Sequence, residues 1–66
     1  MKLWLNGAPR ELPDGCFLAD ALASMGAPRS GIAVAVDDDV VPRADWATTV
    51  LREGARVEVL TAVQGG

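Results

Sequence analysis

The residues best suited to chemistry stand at the end of the 66-residue sequence, where Val57-Glu58-Val59-Leu60-Thr61-Ala62-Val63-Gln64 leads into Gly65-Gly66. Glycine has no side chain to pack and loses more backbone entropy than any other residue when ordered, so a terminal pair is expected to stay flexible. What such a pair offers is thinness. With no side chains on the last two residues, the carboxylate of Gly66 could be threaded into a narrow channel of another protein, and Val63 to Gly66 could reach roughly 13 Å. At neutral pH that carboxylate is ionised, with a reference pKa of about 3.3–3.7, and a carboxylate anion is a poor electrophile. The chemistry that fits is acyl activation by a separate ATP-using enzyme, followed by displacement of the leaving group by sulfur or an amine, with this chain as acyl donor. A frayed glycine tail is the plain alternative, and the motif alone does not decide between the two.

Other reactive candidates are few. The chain has no histidine and a single cysteine, Cys16, so neither an internal disulfide nor a Cys/His zinc site can form. That composition suits a reducing, cytoplasmic compartment. Asp37-Asp38-Asp39 could hold a divalent cation or act as an acid/base pair, but lacks the spaced ligands of a calcium loop and stands where a turn needs Asp; a solvated turn is the expectation. With 50% hydrophobic and 23% charged residues the composition is globular. Sixty-six residues make one domain near the lower size limit for a single core, with about 3–5 kcal/mol of net stability, so a large enclosed active site is not expected.

Net charge is −3, and Lys2, Arg10, Arg29, Arg43, Arg52 and Arg56 are scattered, whereas nucleic-acid binding needs a concentrated basic face. No stretch approaches the ~20 apolar residues that span a bilayer, and the opening Met1 to Gly7 is too short an apolar run for a signal peptide. No nucleic-acid or membrane partner is expected. A basic protein surface would complement the acidic excess.

The elements that must present the tail follow from the pattern. Lys2 to Leu5 alternates, Asn6-Gly7 is the preferred pair for a type I′ turn, and residues 9–12 return, giving a hairpin whose Pro9 belongs near an edge. Trp4, opposite Leu3 and Leu5, is either a half-covered sheet residue or part of a partner-binding patch. After a turn at Pro13-Asp14-Gly15, Leu18, Ala21, Leu22 and Met25 recur at helical spacing, and Gly26 supplies a left-handed stop with Pro28 beyond. Phe17 at the N-cap cannot accept a backbone hydrogen bond, so Asp14 is expected to approach instead, while Asp20 suits the helix dipole. Ile32 to Val36 reads as a strand, Asp37-Asp38-Asp39 as a turn and Val40-Val41-Pro42 as a brief return. Ala44 to Ala47 fits one helical turn with Trp46 over the core edge. Glu53-Gly54 is a turn before the last strand, Arg56 to Ala62, with Val57 and Val59 facing inward.

One helix and four to five strands predict an α+β fold, a mixed sheet wrapped over one short helix with first and last strands parallel at its centre. That is the ubiquitin-like β-grasp: a single domain, 1–66, with a flexible tail over 63–66.

The Asn6-Gly7 hairpin, the Val34-Ala35-Val36 strand, Val41-Pro42-Arg43 followed by Trp46, then Leu51, Glu53-Gly54, Val57-Glu58-Val59 and the terminal Val63-Gln64-Gly65-Gly66 together resemble the thiamine-biosynthesis sulfur carrier family, over nearly the whole chain. Two places depart from that family's pattern: Asp37 stands where Asn is common, and Gly54-Ala55 where Gly-Asp is common. Both fall in turns and put local turn geometry in question.

The resemblance implies that a ubiquitin-activating-like adenylyltransferase forms an acyl-adenylate on Gly66, using ATP that the partner binds. Sulfur from a cysteine-derived persulfide, supplied by a cysteine desulfurase or similar donor, then replaces AMP, and the thiocarboxylate feeds thiazole synthase. By the same resemblance Gly66 carries the sulfur and the chain itself catalyses nothing, binding no cofactor of its own. Gly65, Gln64 and Val63 thread the partners' active sites, the Val41-Pro42-Arg43 and Trp46 motif fixes either the fold or a docking face, Arg43, Leu60 and Ala62 are candidate docking residues, and Cys16 is a bystander. Two relatives in kind remain as alternatives, a molybdopterin synthase small-subunit-like carrier and a modifier joined to lysines through Gly66. An interaction domain with an incidental tail is a third.

Overall fold

A computed structural model of the chain describes residues 1–28 and 30–61. Two strands, β1 (Lys2–Leu5) and β2 (Ala8–Glu11), are followed by helix α1 (Leu18–Ser24). Then come β3 (Ile32–Val36), β4 (Asp39–Val40), a 3-10 turn over Arg43–Asp45, and β5 (Arg56–Thr61). The sheet runs β2-β1-β5-β3-β4. Among the described residues only β1 and β5 are parallel; the other neighbours are antiparallel. This is the mixed five-stranded sheet on one short helix that the pattern predicts, with Pro9 on an edge strand where its missing N–H costs no ladder bond.

Asn6 and Gly7 both take positive φ, 50° and 81°, and Leu5 pairs with Ala8 across them, so the turn is the two-residue kind that matches strand twist. The helix closes as expected at Gly26, φ 70°. Ala27 N–H donates to the Leu22 carbonyl at 3.0 Å and Gly26 N–H to that of Ala23 at 3.1 Å, the paired bonds of a Schellman stop. Its start differs from expectation. Asp20, not Asp14, reaches back to accept from the Phe17 N–H at 2.9 Å. Asp14 is drawn instead to the Met1 ammonium, 2.9 Å away, a contact that no local pattern encodes.

Leu3, Leu5, Leu18, Ala21, Leu22, Val34, Leu51, Ala55 and Val57 form the core between the helix and one sheet face. The turn before β4 is shorter than the three aspartates suggest: Asp37 and Asp38 have φ of 50° and 73°, and Asp39 already pairs with Val36. Asp37 keeps its place because its Oδ1 accepts the Arg56 N–H at 2.9 Å while its own N–H donates to the Arg56 carbonyl at 2.8 Å. Asp thus meets at Asp37 the positive-φ requirement that Asn also tolerates.

The Val41-Pro42-Arg43-Ala44-Asp45-Trp46 stretch closes on itself. Pro42 enters the 3-10 turn, Trp46 ends it, and the indole N–H donates to the Val41 carbonyl at 2.9 Å. Trp46 packs against the core, and its own carbonyl accepts from Ala19 N–H at 2.9 Å at the helix start. This run is therefore a structural fastening between β4 and α1. No helix of the described residues is long and apolar enough to cross a membrane.

Candidate functional site

The positions expected to carry and deliver the reactive group, Gly66, Gly65, Gln64 and Val63, and the candidate docking residue Ala62, lie outside the described residues. What the structure places is their root. β5 is the central strand, held by β1 on one side and β3 on the other, so the segment that follows Thr61 issues from the best-anchored element of the fold. Its register is fixed by five pairs with β3, from Ile32 opposite Thr61 to Val36 opposite Val57. A one-residue slip would turn Val57 and Val59 out of the core.

A further clamp was not anticipated from the sequence. Asn6, needed for the turn, also uses its side chain on β5: Oδ1 accepts from Val59 N–H at 2.7 Å and Nδ2 donates to the Val59 carbonyl at 3.3 Å. β1 itself pairs with β5 only as far as Leu5 opposite Val57. The amide of Asn6 thus extends the ladder by one position beyond the end of β1, toward the C-terminal end of β5. Turn propensity is the only local signal at Asn6, so a long-range contact of this kind could not be read from it.

Leu60 stands on the sheet face away from the helix and is 67% exposed, and Val40, 75% exposed, shares that face. With Ala33, Val34, Ala35, Asp38 and Glu58 they line a shallow depression of about 180 Å³. Leu60 therefore belongs to an apolar strip with an acidic margin, beside the root of the terminal segment. Arg43 is exposed too, but lines a separate hollow of about 370 Å³ between α1 and the 3-10 turn, with Ala19, Leu22, Pro28 and Trp46 among its walls. The two candidate docking residues are thus not brought into one site. Trp4 is half-buried on the open face, with the Lys2 ammonium 5.0 Å from its ring centre.

Groups for independent catalysis are sparse. Cys16 is half-buried, and burial together with the Asp20 charge pushes its thiol above the ordinary value, which disfavours the nucleophilic thiolate. Among the described residues no group of three or more His, Cys, Asp or Glu side chains could hold a metal ion. Asp38 instead faces Arg56 at 3.7 Å.

Comparison with known proteins decides the family. The model of the ThiS family matches residues 3–66. The chain belongs to the ThiS family. The sulfur carrier protein ThiS of Thermus thermophilus is 38% identical over 64 residues, covering 97% of this chain and 98% of that protein. The crystal structure of a thiamine biosynthesis protein, ThiS, from Geobacter metallireducens superposes with a TM-score of 0.85 over all of both chains at 23% identity, a likeness of fold. A solution structure of a thiamine biosynthesis protein from the same organism gives 0.77 at 25% identity, over all of this chain and 88% of that one. The ThiS crystal structure thus shares the β-grasp fold described above, a mixed five-stranded sheet on one short helix.

Proposed function

We propose that the chain is a sulfur carrier of thiamine biosynthesis whose C-terminal glycine is activated and loaded by separate enzymes. The observation that carries this reading is the family match running through to residue 66, so that Gly65-Gly66 falls within the matched region rather than outside it. The anchored strand β5 supports it, because a carrier must hold its reactive end at a fixed place on a rigid body.

The steps follow from carboxylate chemistry. A carboxylate oxygen of Gly66 attacks the α-phosphorus of ATP held by a ubiquitin-activating-like adenylyltransferase, and pyrophosphate leaves. The terminal sulfur of a donor persulfide, supplied by a cysteine desulfurase or similar protein, attacks the acyl carbon and AMP leaves. A thiol then takes the donor sulfur into a disulfide, freeing a thiocarboxylate on Gly66. Thiazole synthase receives the sulfur. In each encounter Gly65 gives the chain the slimness a channel requires, with Gln64 and Val63 behind it. Leu60 and its apolar neighbours on the open face bear on the partner beside the channel mouth, with Ala62 two residues on in the sequence; Arg43, on the other side, is a second contact. The carrier binds no cofactor and supplies no catalytic group.

Deleting Gly66, or replacing Gly65 by Val, should leave the melting transition unchanged and abolish sulfur loading. A tail-truncated chain that still supported thiazole formation would refute the proposal.

A further inference from the structure

Hydrogen-bonding direction alternates along β5. Arg56 turns its N–H and C=O toward the β3 side, where Asp37 meets both. Ala55 and Val57 turn theirs toward β1, accepting from Trp4 N–H and Asn6 N–H at 2.9 Å each. Val59 continues that series and is met by the Asn6 side chain. The next member is Thr61, which is exposed and has no hydrogen-bond partner for its N–H or C=O among the described residues. The chain has turned away at Asn6-Gly7, so β5 outruns β1 and its edge there is open.

From this we infer that the open edge at Thr61 is a strand-addition site for an extended segment of the activating adenylyltransferase. The inference rests on the carrier reading above. An enzyme that holds the terminal glycines comes within five residues of Thr61, the last described residue of the strand that leads to them. An unpaired edge recognises extended backbone of almost any sequence through main-chain bonds. Pairing at the root would also offset part of the ordering cost of a glycine-ended segment, and would aim the carboxylate for in-line attack on phosphorus. Asn6 sets where the added strand begins, since its amide occupies the preceding rung.

The test is Thr61→Pro beside Thr61→Val. Proline deletes an N–H that the isolated fold does not use, so the variant should melt as the parent does, whereas valine keeps both the N–H and the branched side chain. Calorimetric titration against the purified adenylyltransferase should show Thr61→Pro binding roughly five- to tenfold more weakly, the worth of one lost hydrogen bond, with Thr61→Val within about twofold of the parent. In the unaltered chain, the Thr61 amide should exchange freely when alone and become protected in the complex. Equal affinity for the proline variant, or a Thr61 amide protected in the free chain by self-association, would overturn the inference while leaving the carrier reading intact. Failure of the unaltered chain to gain sulfur at all would overturn both.

Discussion

At the scale of single residues, Asn6 and Asp37 each combine an unusual backbone angle with a long-range bond to the central strand. Asn6→Gly keeps the turn and deletes two hydrogen bonds to Val59, so it should cost about 1–2 kcal/mol, read as a lower urea midpoint with unchanged slope. Asp37→Asn should stay within about 0.5 kcal/mol, since the amide oxygen can still accept from Arg56 N–H and Asn tolerates positive φ. Asp37→Ala removes the acceptor and strains the turn, and should lose about 1–2 kcal/mol. The terminal glycines, proposed as the reactive end, are of the opposite kind. The composition that marks them, two residues with nothing to pack, is visible in sequence because no tertiary contact is needed to recognise it. Asn6 gripping Val59 and the open edge at Thr61 depend on how two strands distant in sequence align, and local patterns do not carry that information.

Among the elements, hairpin, helix stripe and final strand were legible because each carries its own period and its own stop signal. Boundaries moved where a distant group competed. Asp14 left the helix start for the Met1 ammonium, and the third aspartate of the acidic turn was taken into β4. The Val41 to Trp46 segment was legible as one helical turn with Trp46 over the core edge, and as a motif that fixes either the fold or a docking face. Its geometry now gives it a structural task, the indole N–H bound to the Val41 carbonyl, which separates Trp46 from the docking role left open for Arg43. Trp46→Phe should accordingly lose about 1 kcal/mol, lowering the melting temperature by roughly 4–8 °C, while sulfur loading below the melt stays near normal. Leu18 is fully buried at the contact of α1 with the sheet. Leu18→Ala should cost about 2–5 kcal/mol, comparable with the ~3–5 kcal/mol a core of this size provides, and circular dichroism should find the variant largely unfolded at 37 °C.

The molecule as a whole is a small sheet-and-helix body tied at its first residue as well as along its last strand. The Met1 ammonium donates to the Leu12 carbonyl at 2.7 Å and faces Asp14 at 2.9 Å and Glu11 at 3.9 Å. The Asp14 hydrogen bond, aided by the nearby carboxylates, raises its pKa above the ordinary 8.0. A raised pKa means the folded state holds this proton more tightly than the unfolded one. The stability it contributes is fully present below pH 8 and is lost as pH rises through the folded value. The Cys16 thiol, raised by burial from 9.0, adds a loss in the same direction that begins higher. Melting temperature should therefore decline from about pH 8 upward, and acetylating the amino terminus should remove the earlier part of that decline only. None of these changes should touch the reactive end, since they act on the body that presents it. That division of labour, a stable body and a terminal carboxylate handled by other enzymes, is put to the proof by the intact mass of the unaltered chain after incubation with ATP, adenylyltransferase and a persulfide donor. A gain equal to one oxygen exchanged for sulfur, mapped by fragmentation to Gly66, is the predicted result; an unchanged mass with active partners, or sulfur on Cys16 instead, would contradict it.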